Sequence, residues 1–390
     1  MGNRPKILIV DDEPFNIDYL EQELEDLGYA TLSAGDGQAA LEIVATESPD
    51  MILLDIMMPV MNGFEVLSRL KENKAWRDIP VVIISAIDDM QTIAQGIEMG
   101  AEDYLPKPFE PVLLMARMKA GLEKKRLRDM EQTYLQGLER ELEIGREIQA
   151  DFLPKTILQP EGWEIATSFV SARETAGDYY DVFQFTGDKI GLMLGDVCDK
   201  GLGSALYMTL FRSLLRAASD IGTWGDNTSN PKDDGQRLIA AAQLTNNYIT
   251  TVHHSASYST LFYGILDPAS GELCYLNAGH EPPLILRDSQ IRKRLKGTGP
   301  VVGLIEDAEF RVGNTELEPG ELLLVYSDGF TDVQNPHGEM YSREKLLSLF
   351  NQPFDNAQSL VDRIVGEVSS FRGDAIQFDD MTLMAVMRKG

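Results

Sequence analysis

Short apolar runs closed by acids or serine organise the first third of this chain. Lys6-Ile7-Leu8-Ile9-Val10 ends in Asp11-Asp12, Met51-Ile52-Leu53-Leu54 ends in Asp55, and Val81-Val82-Ile83-Ile84 ends in Ser85. Runs apolar at every position suit parallel strands buried on both faces. Amphipathic stretches lie between them, at Phe15 to Leu27 and Ala39 to Ala45. The alternation predicts an α/β domain built on a doubly wound parallel sheet. From Pro111 to about Asp151 the chain becomes charged and helix-forming, with apolar residues at Met115, Met118 and Leu122, then Leu127, Met130 and Tyr134, then Leu135, Leu138 and Leu142. These threes and fours fit a helix with an apolar stripe whose register slips between segments, and Pro154 marks its end.

Beyond residue 155 the pattern changes again. Strands are expected at Trp163 to Val170, Val182 to Phe185, Ile190 to Leu194, Ser259 to Leu266, Leu273 to Leu276, Leu322 to Tyr326 and Met381 to Val386. Helices are expected at Leu202 to Ala218, Leu238 to Thr251, Ser342 to Phe350 and Ala357 to Phe371. Strands mixed with helix pairs point to α+β with antiparallel sheets. Asp220 to Gly235 reads as a surface loop. The expected domains are therefore 1–122, a helical linker at 123–155 that could pair in a dimer, and 156–390.

Composition narrows the function. The 390 residues are 43% hydrophobic and 8% aromatic, enough for more than one core. A formal net charge of -27 argues against nucleic acid or an anionic membrane as the main partner. Cys198 and Cys274 are expected to be free thiols, and with no apolar leader or membrane-length run the expected location is the cytoplasm.

Asp11, Asp12, Asp55, Ser85 and Lys107 all fall at the carboxyl ends of predicted strands, where doubly wound sheets gather functional groups. On these residues the segment from about 4 to 122 closely resembles the receiver domain of two-component response regulators. The resemblance implies that Asp55 is the phosphoacceptor and that Asp11, Asp12, Asp55 and the Met57 carbonyl bind Mg²⁺. It also implies that Ser85 hydrogen-bonds the phosphoryl group, Lys107 pairs with it and Tyr104 is the aromatic switch. Lys107-Pro108 matches the family's cis peptide. The phosphodonor would be a sensor histidine kinase.

Four acidic motifs mark the C-terminal half: Ala176-Gly177-Asp178-Tyr179-Tyr180-Asp181, Gly195-Asp196-Val197, Ser327-Asp328-Gly329 and Asp379-Asp380-Met381-Thr382. Clustered carboxylates are what hard divalent cations require. With Glu147-Ile148-Gln149, Leu261-Phe262-Tyr263-Gly264 and Asn277-Ala278-Gly279-His280-Glu281-Pro282-Pro283, these motifs resemble the PPM-type serine/threonine phosphatases of the SpoIIE/RsbU-like branch. The implied fold is a β-sandwich flanked by helix pairs, with two Mn²⁺ or Mg²⁺ ions at one edge. Asp196, Asp328 and Asp379 would be the catalytic ligands, with the Val197 carbonyl nearby and Asp178 at the first metal or an accessory site. Asp181 and Asp380 are secondary candidates. Two departures stand out: Ala176 replaces the first glycine of a Gly-Gly pair, and Asp199 replaces a small residue.

The activity implied is hydrolysis of phosphoserine or phosphothreonine on a small anti-sigma-factor antagonist protein. A non-catalytic adaptor that sequesters a partner is the alternative, and retention of Asp178, Asp196, Asp328 and Asp379 speaks against it. A nucleotide cyclase leaves three motifs unexplained. His280 reads as a hydrogen-bonded structural histidine rather than a general acid, and Arg173 as a phosphate contact or a charge partner.

Overall fold

The computed structural model describes residues 4–86, 90–185, 187–220, 233–252 and 257–390. Contacts divide the chain into two units, Met1–Leu138 and Glu139–Gly390. In the first, the apolar runs become inner strands of a five-stranded parallel sheet of order β2-β1-β3-β4-β5. The strands are β1 (Lys6–Val10), β2 (Ala30–Ala34), β3 (Met51–Asp55), β4 (Val81–Ala86) and β5 (Asp103–Lys107), and helices α1 (Pro14–Asp26), α2 (Gly37–Glu47), α3 (Gly63–Glu72) and α4 (Met90–Glu98) alternate with them. Period-two geometry sends Ile7 and Ile9 to one core with Leu20, Leu24 and Leu114, and Leu8 and Val10 to the other with Val66 and Leu67. No apolar run marks the two outer strands, β2 and β5, and only the end of β5, at Lys107, was anticipated. Each is an edge strand with only one fully buried residue, so neither carries a continuous apolar run.

One helix, α5 (Pro111–Ala150), runs on for 40 residues, about 60 Å at the standard rise. Leu114 and Met118 are buried in the first core, but no residue from 122 to 148 is buried. That explains the slipping register, because a stretch whose contacts with its own chain are mostly surface ion pairs, such as Lys124 with Glu102 and Lys125 with Asp50, has no single face to keep apolar.

The second unit holds two antiparallel sheets of five strands each, ordered β13-β10-β9-β8-β7 and β12-β11-β14-β15-β6. The first contains β7 (Asp178–Gln184), β8 (Ile190–Val197), β9 (Ser259–Leu266), β10 (Glu272–Ala278) and β13 (Gly313–Glu316). The second contains β6 (Trp163–Val170), β11 (Leu284–Arg287), β12 (Gln290–Arg294), β14 (Leu322–Tyr326) and β15 (Met381–Arg388). Leu192, Leu194 and Phe262 from one sheet meet Leu323, Val325 and Met384 from the other to form the inner core. Helices α6 (Leu202–Asp220) and α7 (Asp234–Val252) cover the first sheet, and α8 (Arg343–Ser348) and α9 (Ala357–Arg372) cover the second. The β-sandwich flanked by helix pairs is thus observed. Of the loop expected at 220–235, residues 221–232 lie outside the described residues, and its ends belong to α6 and α7. Neither Cys198 nor Cys274 is in a disulfide.

The same alternation removes one candidate ligand. Asp178, Tyr180 and Val182 face the opposite sheet, so Asp181 faces α6 with Tyr179 and Phe183. There its carboxylate lies 2.8 Å from Arg212 and 3.7 Å from Arg216, while Arg216 also covers the Phe183 ring at 3.5 Å. Asp181 therefore anchors a helix to a sheet. We expect Arg212→Ala to cost about 3 kcal/mol by leaving a buried charge short of its partner, read as a lowered calorimetric midpoint of the C-terminal unit in the full chain. Removing Asp181 and Arg212 together should cost much less.

Candidate functional site

The first acidic site lies at the carboxyl edge of the parallel sheet. Asp11 and Asp12 follow β1, Asp55 ends β3, Ser85 lies in β4 and Lys107 ends β5. Among the described residues, Asp11, Asp12 and Asp55 form the set whose ligand oxygens all fall within 4.8 Å of one another. Asp11 and Asp55 are buried and Asp12 is exposed. Lys107 Nζ bridges Asp11 and Asp55, at 2.9 and 2.8 Å. Burial opposes the lysine's charge, but the hydrogen bonds it donates to Asp55 and Asp11, with their negative charge, outweigh that and its pKa lies above the ordinary value. The Met57 N–H donates to Asp55 Oδ1 at 3.4 Å. Asn16, which the sequence pattern did not single out, orients Asp11 by donating to both its oxygens. Tyr104 lies under the Arg117 guanidinium, 5.5 Å from its ring centre, and the Lys107–Pro108 peptide is cis.

The second site forms where strand ends of both sheets of the sandwich come together. Asp178 opens β7 and pairs in register with Asp196, the penultimate residue of β8. From the other sheet, Asp328 begins the 3-10 turn after β14, and Asp379 and Asp380 precede β15. Ser327 Oγ ties the sheets by donating to Asp178 Oδ2 at 2.8 Å. Two glycines of the motifs are there for close approach. A Cβ on Gly195 would fall 2.4 Å from the ring of Tyr179, its cross-strand partner, and one on Gly329 would fall 1.8 Å from the Asp380 carbonyl.

Bringing these acids together is electrostatically costly, and their ionisation records it. Burial, then repulsion from Asp328 and Asp379, pushes Asp196 up to about 7. Burial, then Asp379, pushes Asp328 up to about 6. Burial raises Asp178 far above the usual carboxylate range, with Asp196 and Asp380 adding to the effect, and its Oδ1 is buried without a hydrogen-bond donor. Such a set fits a divalent cation, which would relieve repulsion that the protein's own donors leave unbalanced. Asp380 has a different role. Its oxygens accept from Ala172 N at 2.7 Å and Gly177 N at 2.6 Å, so the expected secondary ligand is the brace of the 172–177 loop.

A cavity of about 50 Å³ beside Asp196 and Asp328 is also lined by Thr260, Gly279, His280 and Glu281. His280 Nδ1 meets Thr260 Oγ1 at 2.8 Å, its backbone N–H donates to Asn277, and burial pushes the imidazole down to about 4. The expected hydrogen-bonded histidine is thus present, with its Nε2 buried and without a partner. Val197 is buried, its N–H directed at the Gly177 carbonyl. Asp199 has φ 71°, which explains why a small residue suits the position, and aspartate is among the side chains that tolerate it. Arg173 is exposed, its guanidinium beside the Gly201 backbone.

Two further contacts were legible only as fragments of motifs. The Gln149 side chain, buried at the end of α5, donates to the Ala176 carbonyl at 2.6 Å and accepts from the Ala176 N–H at 3.0 Å. Lys200 Nζ lies 2.9 Å from Asp379 Oδ2.

Comparison with known proteins agrees with the two kinds of domain. Residues 7–119 match the response regulator receiver domain. The chain is 40% identical over 262 residues to protein IcfG of Synechocystis sp., covering 64% of this chain and 41% of that protein. It is 45% identical over 115 residues to the response regulator PleD of Caulobacter vibrioides, covering 30% of this chain and 25% of that protein. The chain thus spans less than half the length of these relatives. The SiaA-PP2C domain of Pseudomonas aeruginosa superposes with a TM-score of 0.54 at 18% identity, covering 66% of this chain and 99% of that domain, which supports the fold. Residues 186–389 match Stage II sporulation protein E (SpoIIE), and the chain belongs to that family, with a receiver domain ahead of its phosphatase-type domain.

Proposed function

We propose that this protein is a response regulator in which phosphorylation of Asp55 controls a metal-dependent phosphoserine/phosphothreonine phosphatase. The observation that carries the reading is the convergence of Asp178, Asp196, Asp328 and Asp379 at one edge of the sandwich, with Asp196 and Asp328 held near neutral pKa. Two Mn²⁺ or Mg²⁺ ions would be held by Asp196, Asp328, Asp379, Asp178 and the Val197 carbonyl. When bound, they supply a water ionised near neutral pH and screening for the phosphoryl charge. Asp196 and Asp328 must give up their protons to serve, so loading favours higher pH. Arg173, exposed beside the Gly201 loop, is placed to meet an anionic substrate.

In the receiver, Asp55 would take the phosphoryl group from a sensor histidine kinase, with Mg²⁺ held by Asp11, Asp12, Asp55 and the Met57 carbonyl. Lys107 would transfer its pairing from the carboxylates to the phosphoryl oxygens, Ser85 would hydrogen-bond them, and Tyr104 would follow Ser85. Exposed Leu127, Met130, Tyr134 and Leu138 on α5 support a homodimer through that helix. The twin hydrogen bonds of Gln149 to Ala176, two residues before Asp178, support passage of the signal to the metal ligands. The proposed substrate is a phosphorylated protein of the anti-sigma-factor antagonist type.

Asp196→Ala or Asp328→Ala should lower Mn²⁺-dependent hydrolysis of an aryl phosphate by roughly a thousandfold or more, and full residual activity in either variant would contradict the assignment. With an acyl-phosphate donor, wild type should change its phosphatase rate or oligomeric state, and Asp55→Ala should change neither. A variant that still responds removes Asp55 from the switch. His280 supplies a pH test. The unfolded chain takes a proton near the ordinary value of 6.5 and the native imidazole only at about 4, so its stabilising contribution is complete above that ordinary value. It is lost as pH falls toward 4, at about 1.4 kcal/mol per unit. The difference in melting midpoint between wild type and His280→Gln should shrink across that window, and a flat difference would show that the imidazole is not held neutral.

A further inference from the structure

Asp379 has no idle oxygen. Its Oδ1 accepts the N–H of Asp380 at 3.0 Å, and its Oδ2 holds Lys200 Nζ at 2.9 Å. The same ammonium donates to the Phe378 carbonyl, so two groups from adjacent residues seat it. Its backbone is equally fixed. Cys198 N donates to the Tyr258 carbonyl, Tyr258 N donates to Cys198 Sγ, and left-handed Asp199 and Gly201 flank Lys200 with φ of 71° and 87°. Lys200 also lies close enough to Asp328 to lower its proton affinity against the prevailing repulsion. The side chain remains 39% exposed, so the ammonium sits at the lip of the acidic cluster and can leave it without unfolding anything.

We propose that Lys200 is an internal counter-cation for Asp379 that a divalent ion must displace, and that the released ammonium then binds an oxygen of the phosphomonoester substrate. The inference rests on the metal-dependent reading of the site and adds a residue to it. A carboxylate oxygen can serve the ammonium or the ion at full strength, and a unit positive charge left beside a divalent ion repels it. Lys200 therefore weakens loading of the Asp379 corner and answers the substrate's charge once loading is complete. The exchange makes no covalent bond and needs no proton transfer.

The test is calorimetric titration of the full chain with Mn²⁺ alone. Neutralising the side chain in Lys200→Gln should tighten Mn²⁺ binding by roughly tenfold, with the number of ions unchanged. A merely structural role predicts the opposite sign, because a damaged loop holds metal less well. Lys200→Met must tighten binding as well, and Lys200→Arg, which keeps the charge, must stay close to wild type. At saturating Mn²⁺ the neutral variants should show a raised KM for a phosphopeptide with a smaller change in kcat. Unchanged or weaker Mn²⁺ affinity in the neutral variants, with wild type binding normally, overturns the exchange and leaves the phosphatase reading standing. Failure of wild type to take up Mn²⁺ overturns both.

Discussion

Like charges crowded at strand ends are the constraint on which both units of this protein are built. Carboxylates repel one another and lose hydration when buried, so a fold that collects them must supply compensation from its own backbone and cations. In the receiver the compensation is compact: one lysine spans Asp11 and Asp55, and Asn16 holds Asp11 from behind. In the phosphatase domain it is distributed. Ser327 serves Asp178, two backbone N–H groups serve Asp380, and Lys200 serves Asp379. Asp196, buried and facing Asp328 and Asp379, has its proton affinity raised to about 7.

The scaffolds differ in how they bring the acids together. A parallel sheet delivers every strand's carboxyl end to one edge, so the receiver site follows from topology. An antiparallel sandwich delivers alternating ends, so the second site needs a strand start (Asp178), a strand finish (Asp196), a turn (Asp328) and a strand approach (Asp379). Small residues make that convergence possible. Tyr179 can lie across Gly195, and the turn at Gly329 can press against Asp380, because neither glycine carries a Cβ.

Much of this was legible because the motifs couple chemistry to strand ends. The inner strands of the receiver and most strands of the sandwich announce themselves as apolar runs, and the acids sit at their borders. Strands without a buried face were not legible. Gln290–Arg294 and Gly313–Glu316 contain no fully buried residue, so no apolar pattern marks them. Asp181 and Asp380 resembled ligands by position alone, since a sequence does not display which face of β7 meets α6 or which N–H groups reach a carboxylate across 200 residues. Asn16 left no signal, because a polar residue on the first turn of an amphipathic helix is commonplace. Gln149 and Lys200 lay inside motifs, and only the geometry separates their contacts from those of their neighbours.

Helix α5 carries one last consequence. Between Gly121 and the end of the helix, the single buried residue is an amide, and both of its polar atoms are committed to the backbone of one residue, Ala176. Successive residues of a helix point about 100° apart, so a one-residue insertion upstream would leave that amide on Ala176 and turn the preceding segment about the helix axis, whereas an insertion of about seven residues would restore the phase. Angular phase as well as span is therefore set by the residue count of this helix, whatever its exposed positions carry.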